Sequence, residues 1–138
     1  VLTSPFLPQT TEIDLPARKH ETVTEFGYTM YPEGMIRATK WLSKLKIPIE
    51  VTENGVADAN DSLRPKHIEM HLWMISKLIA DNVNICSYYH WSLMDNFEWA
   101  EGYSMRFGLY HVDYESQKRT LRESGKLYQE LISTHLKR

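Results

Sequence analysis

The chain has 138 residues, a length compatible with one domain, with 42% apolar residues and 16 Lys and Arg against 18 Asp and Glu. A net charge of −2 and a pI near 6.3 leave no basic surplus for nucleic acid, and no run of like charge resembles an interaction tail. No stretch nears the roughly 20 apolar residues of a membrane-spanning helix, and residues 1–5 show neither an initiator Met nor a signal-peptide pattern, so a cytoplasmic compartment is expected.

Pro5, Pro8 and Pro16 interrupt residues 1–26, which show little periodicity and read as one long loop. A helix begins at Tyr31-Pro32-Glu33-Gly34, with Pro32 in its first turn and Glu33 against its N-terminal dipole. Met35, Thr39, Leu42 and Leu45 follow at helical spacing, and Lys44 and Lys46 suit its C-terminal end. The apolar run from Ile47 predicts a strand over 47–53 that stops at Thr52-Glu53-Asn54-Gly55. After a polar turn, Asp61 or Ser62 is placed to cap a second helix, which tolerates Pro65 in its first turn. Its expected apolar stripe is Ile68, Leu72, Ile75 and Ile79, and Asn82 ends it. A second strand at about 84–91 contains Cys86, the one cysteine, expected as a buried free thiol. It runs into Ser92-Leu93-Met94-Asp95-Asn96-Phe97-Glu98-Trp99. Residues 107–114 read as a short extended segment, and Ser124, Leu127, Tyr128, Leu131 and Ile132 mark a final helix.

Helix, strand, helix, strand, helix is the order of an α/β fold with parallel strands and crossover helices. Two strands neither close a barrel nor cover their own edges, and the barrel this order suggests needs eight strands and about 250 residues. The chain therefore reads as part of a larger fold. A carboxylate at a strand end facing a loop, as at Glu53, is where α/β barrels hold catalytic groups. Residues 91–100 supply flat aromatics for pyranose faces and carboxylates and amides for hydroxyls, which points to carbohydrate chemistry. His67 and His71 stand at i and i+4, a zinc-chelating spacing. Glu69 does not complete His-Glu-x-x-His, and no third ligand is evident, so a solvated or barrel-facing helix is the plainer reading.

Five motifs together carry a resemblance: Gly27-Tyr28-x-x-Tyr31-Pro32-x-Gly34, Thr52-Glu53-Asn54-Gly55, Asp61-x-x-Arg64, His71-Leu72, and Trp91-Ser92-Leu93-x-Asp95-Asn96-Phe97-Glu98-Trp99-x-x-Gly102-Tyr103. With Arg106-Phe107-Gly108-Leu109-x-x-Val112-Asp113-Tyr114, Arg119-Thr120 and Ser124, the chain resembles the C-terminal portion of a glycoside hydrolase family 1 β-glycosidase, the β-glucosidase group. The resemblance implies the C-terminal part of a (β/α)8 TIM barrel, with the two strands as about the seventh and eighth. It implies Glu53 as the nucleophile of a retaining mechanism, in which a second carboxyl about 5–5.5 Å away protonates the leaving oxygen and then activates water.

By the same resemblance, Trp91 is the platform under the reactive sugar, and Glu98 and Trp99 bind the outer hydroxyls of the glycone. Phe107 lines the same pocket or packs in the core. The branch that cleaves 6-phosphosugars carries Ser in place of Glu98, so a carboxylate here disfavours a phosphorylated substrate. Asp95 and Asp113 are expected to make structural hydrogen bonds. Tyr28 and His67 depart conservatively from the family pattern, and Glu50, mid-strand and opposite Glu53, is a charge expected to face the helical layer and to need a partner.

The family's acid/base residue sits in an Asn-Glu-Pro motif, which does not occur in this sequence. The expectation is a β-glycosidase acting on glucose-like β-glycosides or oligosaccharides, with galactosides or fucosides also accepted, no cofactor, and an acid/base outside the chain. A complementary N-terminal chain or self-association would supply what is missing. The competing expectation is a catalytically silent truncated fragment serving as a binding or structural remnant.

Overall fold

The computed structural model describes residues 21–136, so most of the loop expected over residues 1–26 lies outside the described residues. The chain enters through a tight turn in which Thr24 and Tyr28 pair backbone to backbone and Gly27 takes φ +81°. Helix α1 (Glu33–Leu42) follows, with Pro32 in the preceding cap position, and it ends in a 3-10 turn at Ser43–Leu45. Strand β1 (Ile49–Asn54) and strand β2 (Ile85–His90) pair in parallel, joined by helix α2 (Arg64–Ala80). A second 3-10 turn at Trp99–Glu101 leads to strands β3 (Tyr110–Val112) and β4 (Arg119–Leu121), an antiparallel pair. Helix α3 (Glu123–Leu136) closes the order.

The α/β order is as the sequence predicts, but β4 is an addition. The expected extended segment 107–114 pairs only over Tyr110–Val112, and its partner is a three-residue strand too short to leave a periodic signal. The turn between them is built by Asp113, whose carboxylate accepts from the Glu115 and Ser116 amides and the Ser116 hydroxyl at 3.0, 3.3 and 2.7 Å.

Of the apolar stripe expected on α2, Ile68 and Ile75 are buried and Leu72 is half-buried, but the inward face also takes in polar residues. Arg64, His67, Ile68, His71, Met74, Ile75 and Leu78 are buried, whereas Ile79 is 51% exposed. These positions keep helical spacing, but the first two turns turn polar side chains inward, so a search for apolar residues finds Ile68 and Ile75 and misses Arg64, His67 and His71. Neither histidine is solvated; each is 5% exposed. The expected cap of α2 by Asp61 or Ser62 is also corrected. Asp58 accepts from the Leu63 and Arg64 amides at 2.7 and 2.9 Å, because the buried loop brings its carboxylate onto the open N–H groups. Asp61 instead accepts from the Ser124 amide at 2.9 Å and hydroxyl at 2.6 Å, at the start of α3. At the other end of α2, Asn82 takes φ +63°, and Val83 and Asn82 donate to the Leu78 and Ile79 carbonyls at 3.0 Å, a Schellman closure.

Val56, Ala57, Ile68, Ile75, Leu78, Leu109 and Val112 are the most deeply buried apolar residues described, each at 6% exposure or less. Sheet β1–β2 has no further strand on either side among the described residues. For that reason the expected burial of Cys86 fails: the thiol is exposed, 3.4 Å from the Ile49 carbonyl and 3.8 Å from a Glu50 carboxylate oxygen. Glu50 is exposed as well, so water solvates the charge expected to be buried, and Cys86 is its neighbour.

Candidate active site

Glu53 is the penultimate residue of β1. Its side chain is exposed, and no described residue makes a hydrogen bond or ion pair to its carboxylate. The backbone beside it is held tightly. The Trp91 amide donates to the Asn54 carbonyl at 3.0 Å, and a Cβ placed on Gly55 would stand 1.6 Å from the Trp91 carbonyl oxygen. Only glycine permits that approach. Asn54 is fixed from its side chain too, accepting from the Tyr88 hydroxyl at 2.8 Å. Burial, with Tyr128 nearby, raises the Tyr88 phenol above its ordinary range and keeps it a donor. The ends of β1 and β2 thus form one rigid corner carrying Glu53 and the half-buried Trp91.

Beyond a cis Trp91–Ser92 peptide, the chain runs along residues 107–110. Ser92 donates to the Phe107 carbonyl at 3.2 Å and accepts from the Leu109 amide at 2.9 Å. The Ser92 hydroxyl donates to the Met94 carbonyl, and Asn96 donates back to that hydroxyl at 3.1 Å. Glu98 is half-buried, with its amide on the Gly102 carbonyl at 2.7 Å, and Trp99 beside it is 81% exposed. Phe97 packs edge-on against Tyr103 at 5.4 Å, Tyr103 against Tyr114 at 4.5 Å, and the Arg106 guanidinium lies 4.4 Å over the Tyr114 ring. Trp91, Glu98 and Trp99 therefore share one braced segment leaving β2. The Phe107 ring stands 6.0 Å from Phe26, and Phe107 lines a cavity of about 210 Å³ with Asn54, Gly55, Ala57 and His67, at the end of β1.

Behind both segments lies a polar network in which the local sequence shows little. Arg64 donates to Asp61, to the Asp58 carbonyl at 2.6 Å and to the Arg106 carbonyl at 2.7 Å. Burial pushes the Asp58 carboxyl up, but the amides of Arg64, Leu63 and Ser62 and the Arg64 charge outweigh it and hold it below the usual carboxylate range. Asp95 is 3% exposed and accepts from the Gly108 and Val112 amides at 2.9 and 3.2 Å, and from Arg122 and Arg106 at 3.1 and 3.4 Å. The spacing Asp61-x-x-Arg64 is a visible signal for one pair; the links to Arg106, Arg122 and Ser124 span too many residues to be read locally.

A cluster of imidazoles sits beside this network. His67 and His71 stack with ring centroids 4.0 Å apart, and His71 Nδ1 meets the His67 carbonyl at 2.8 Å. Burial, reinforced by the neighbouring histidines and Arg64, lowers His67 to about 3. Burial followed by Arg64 lowers His90 to about 4. Among the described residues, no three His, Cys, Asp or Glu side chains are grouped so as to hold a metal ion. A groove of about 560 Å³ lies away from Glu53, between α2, β2 and α3, and is lined by Trp73, Ile79, Tyr88, Tyr128 and Ile132. No described helix is long and apolar enough to cross a membrane.

Residues 6–137 match the sequence profile of glycosyl hydrolase family 1. A β-galactosidase of Pyrococcus woesei is 42% identical over 82% of this chain, which spans 22% of that protein. A β-glucosidase of an Agrobacterium species is 41% identical over 80% of this chain and 26% of its own length. Among solved structures, the hyperthermophilic β-glucosidase of Pyrococcus furiosus superposes with a TM-score of 0.83 and 40% identity, over 86% of this chain and 25% of that one. The chain thus spans about a quarter of the length of these relatives. It corresponds to a C-terminal portion of their (β/α)8 barrels.

Proposed function

The chain belongs to glycosyl hydrolase family 1, and from that membership we propose that it carries the nucleophile half of a retaining β-glycosidase site. Glu53 is the nucleophile: its carboxylate attacks the anomeric carbon, the leaving group departs, and water later cleaves the glycosyl ester. The observation that carries this reading is the corner between Asn54-Gly55 and Trp91. It sets an uncommitted carboxylate at a strand end, backbone to backbone with an aromatic able to pack on a pyranose face. Glu98 and Trp99, on the segment leaving that corner, bind the glycone hydroxyls by carboxylate oxygens and the indole N–H. Phe107 buttresses the corner from behind, in the cavity it shares with Asn54 and Gly55.

The second carboxyl comes from outside these residues. Asp95 is spent on two guanidinium groups and two amides, and Asp113 on its own turn, so neither is free to protonate a leaving oxygen. β-Linked glucosides and galactosides are the substrate class, in keeping with relatives named for each sugar. A complementary N-terminal part of the barrel, or self-association, completes the site. The exposed edges of β1–β2 favour a second reading, in which these residues alone are catalytically silent.

Hydrolysis of 2,4-dinitrophenyl β-glucoside separates the two, because so good a leaving group needs little protonation. Turnover abolished by Glu53→Gln supports the nucleophile reading. Turnover that survives the substitution overturns it, and no turnover by the wild-type chain establishes the silent reading.

A further inference from the structure

Arg122 immediately precedes α3, outside the motifs that mark the site. Its side chain is 8% exposed. Nη1 donates to the Gly108 carbonyl at 3.1 Å and reaches the Asp58 carbonyl at 3.5 Å; Nη2 donates to Asp95 Oδ2 at 3.1 Å and lies 3.3 Å from His111 Nδ1. Three separate stretches of chain meet on this one guanidinium. Asp58 belongs to the loop that leaves β1 just after Glu53, Asp95 to the segment between Trp91 and Glu98, and Gly108 and His111 to the hairpin. A planar fork with several donors can serve acceptors on separate segments at once, which a lysine ammonium on a flexible stem does poorly.

We propose that Arg122 is a positioning residue for the sugar site, locking the segment that bears Trp91, Glu98 and Trp99 to the loop that follows the Glu53 strand. The assignment rests on the reading of Glu53 as nucleophile, but the lock itself is a property of the folded chain. Parallel ties remain without it. Arg64 holds the Asp58 and Arg106 carbonyls, and Asp95 keeps Arg106 and two amides. Loss of Arg122 therefore loosens the two loops against each other and leaves the rest of the fold in place.

Amide hydrogen exchange of the full chain tests the lock without a ligand. In Arg122→Met, the amides of Asp58, Asp95, Gly108 and Val112 should exchange at least about tenfold faster, while Ile49 and Val83 keep their rates. Arg122→Lys, which preserves the charge and part of the reach, should fall between. Unchanged rates at those four amides overturn the proposal, as does acceleration spread evenly over α2 and β1–β2, which marks general destabilisation. With 2,4-dinitrophenyl β-glucoside, Arg122→Met should lower kcat about a hundredfold, the scale of an ångström-sized misplacement, with partial recovery in Arg122→Lys. Equal kcat in all three overturns the positioning role. Absence of turnover by the wild-type chain establishes the silent reading of these residues, and the exchange pattern then decides on Arg122.

Discussion

Asp95 is buried and accepts from two guanidinium groups and two backbone amides, whereas Glu53 is exposed and meets no described partner. The contrast extends to the regions around them. The network of Asp58, Arg64, Asp61, Asp95, Arg122 and Ser124 satisfies its charges from within the chain, while the sheet and outer helices leave Trp41, Ile47, Trp73 and Tyr89 each more than half exposed. The polar joint of the fold is finished here, and its apolar faces are not. A carboxylate committed to internal bonds and a carboxylate free of them should respond to substitution in opposite ways.

The largest effect is expected at Asp95. Asp95→Ala strands Arg122 in a buried pocket without its counter-charge and should cost about 3–5 kcal/mol, read from the urea midpoint. Glu53→Gln should stay within about 0.5 kcal/mol of wild type while removing turnover. Similar costs for the two would erase the contrast. Gly55→Ala comes next, because its Cβ would overlap the Trp91 carbonyl oxygen and force the corner apart. A loss of about 1–3 kcal/mol is expected, with catalysis falling further than stability.

Acid should act through the histidine cluster. His67 and His90 are held neutral by burial, at about 3 and about 4 against an ordinary value of 6.5. Between those values the unfolded chain binds more protons than the folded one, so stability should fall as pH drops below about 6.5 and continue to fall to about 3. Arg64 and His71 add repulsion on α2, and Glu33 on α1 and Asp61 offset part of it. His67→Phe should flatten the decline of the thermal midpoint between pH 7 and 4; an unaltered slope would remove the cluster from the account. The smallest effect is at the unfinished apolar face. Trp73→Glu should change stability by less than about 0.5 kcal/mol yet weaken binding of an apolar dye, since Trp73 is 57% exposed on the wide groove.

The candidate residues Glu53 and Trp91 stand out by local signatures, a strand end and an aromatic-rich segment, and the parallel α/β order follows from alternating periodicities. Arg64, His67 and His71 were harder, since polar residues occupy the inward face of α2 and apolar patterning points elsewhere. The sequence offers Asp61 or Ser62 as the cap of α2, but the Asp61 carboxylate meets Ser124 at the start of α3, a partner 63 residues away that no local rule can find. Burial of Cys86 and Glu50 presupposes a covered sheet, and among the described residues each strand of the β1–β2 sheet has one neighbour, which leaves both exposed.

Covalent trapping tests the central assignment most directly. The chain is incubated with 2,4-dinitrophenyl 2-deoxy-2-fluoro-β-glucoside, digested and mapped by mass spectrometry. The account predicts one fluoroglucosyl group on the peptide containing Glu53 and none in Glu53→Gln. A label on any other residue, or full labelling of Glu53→Gln, would contradict it.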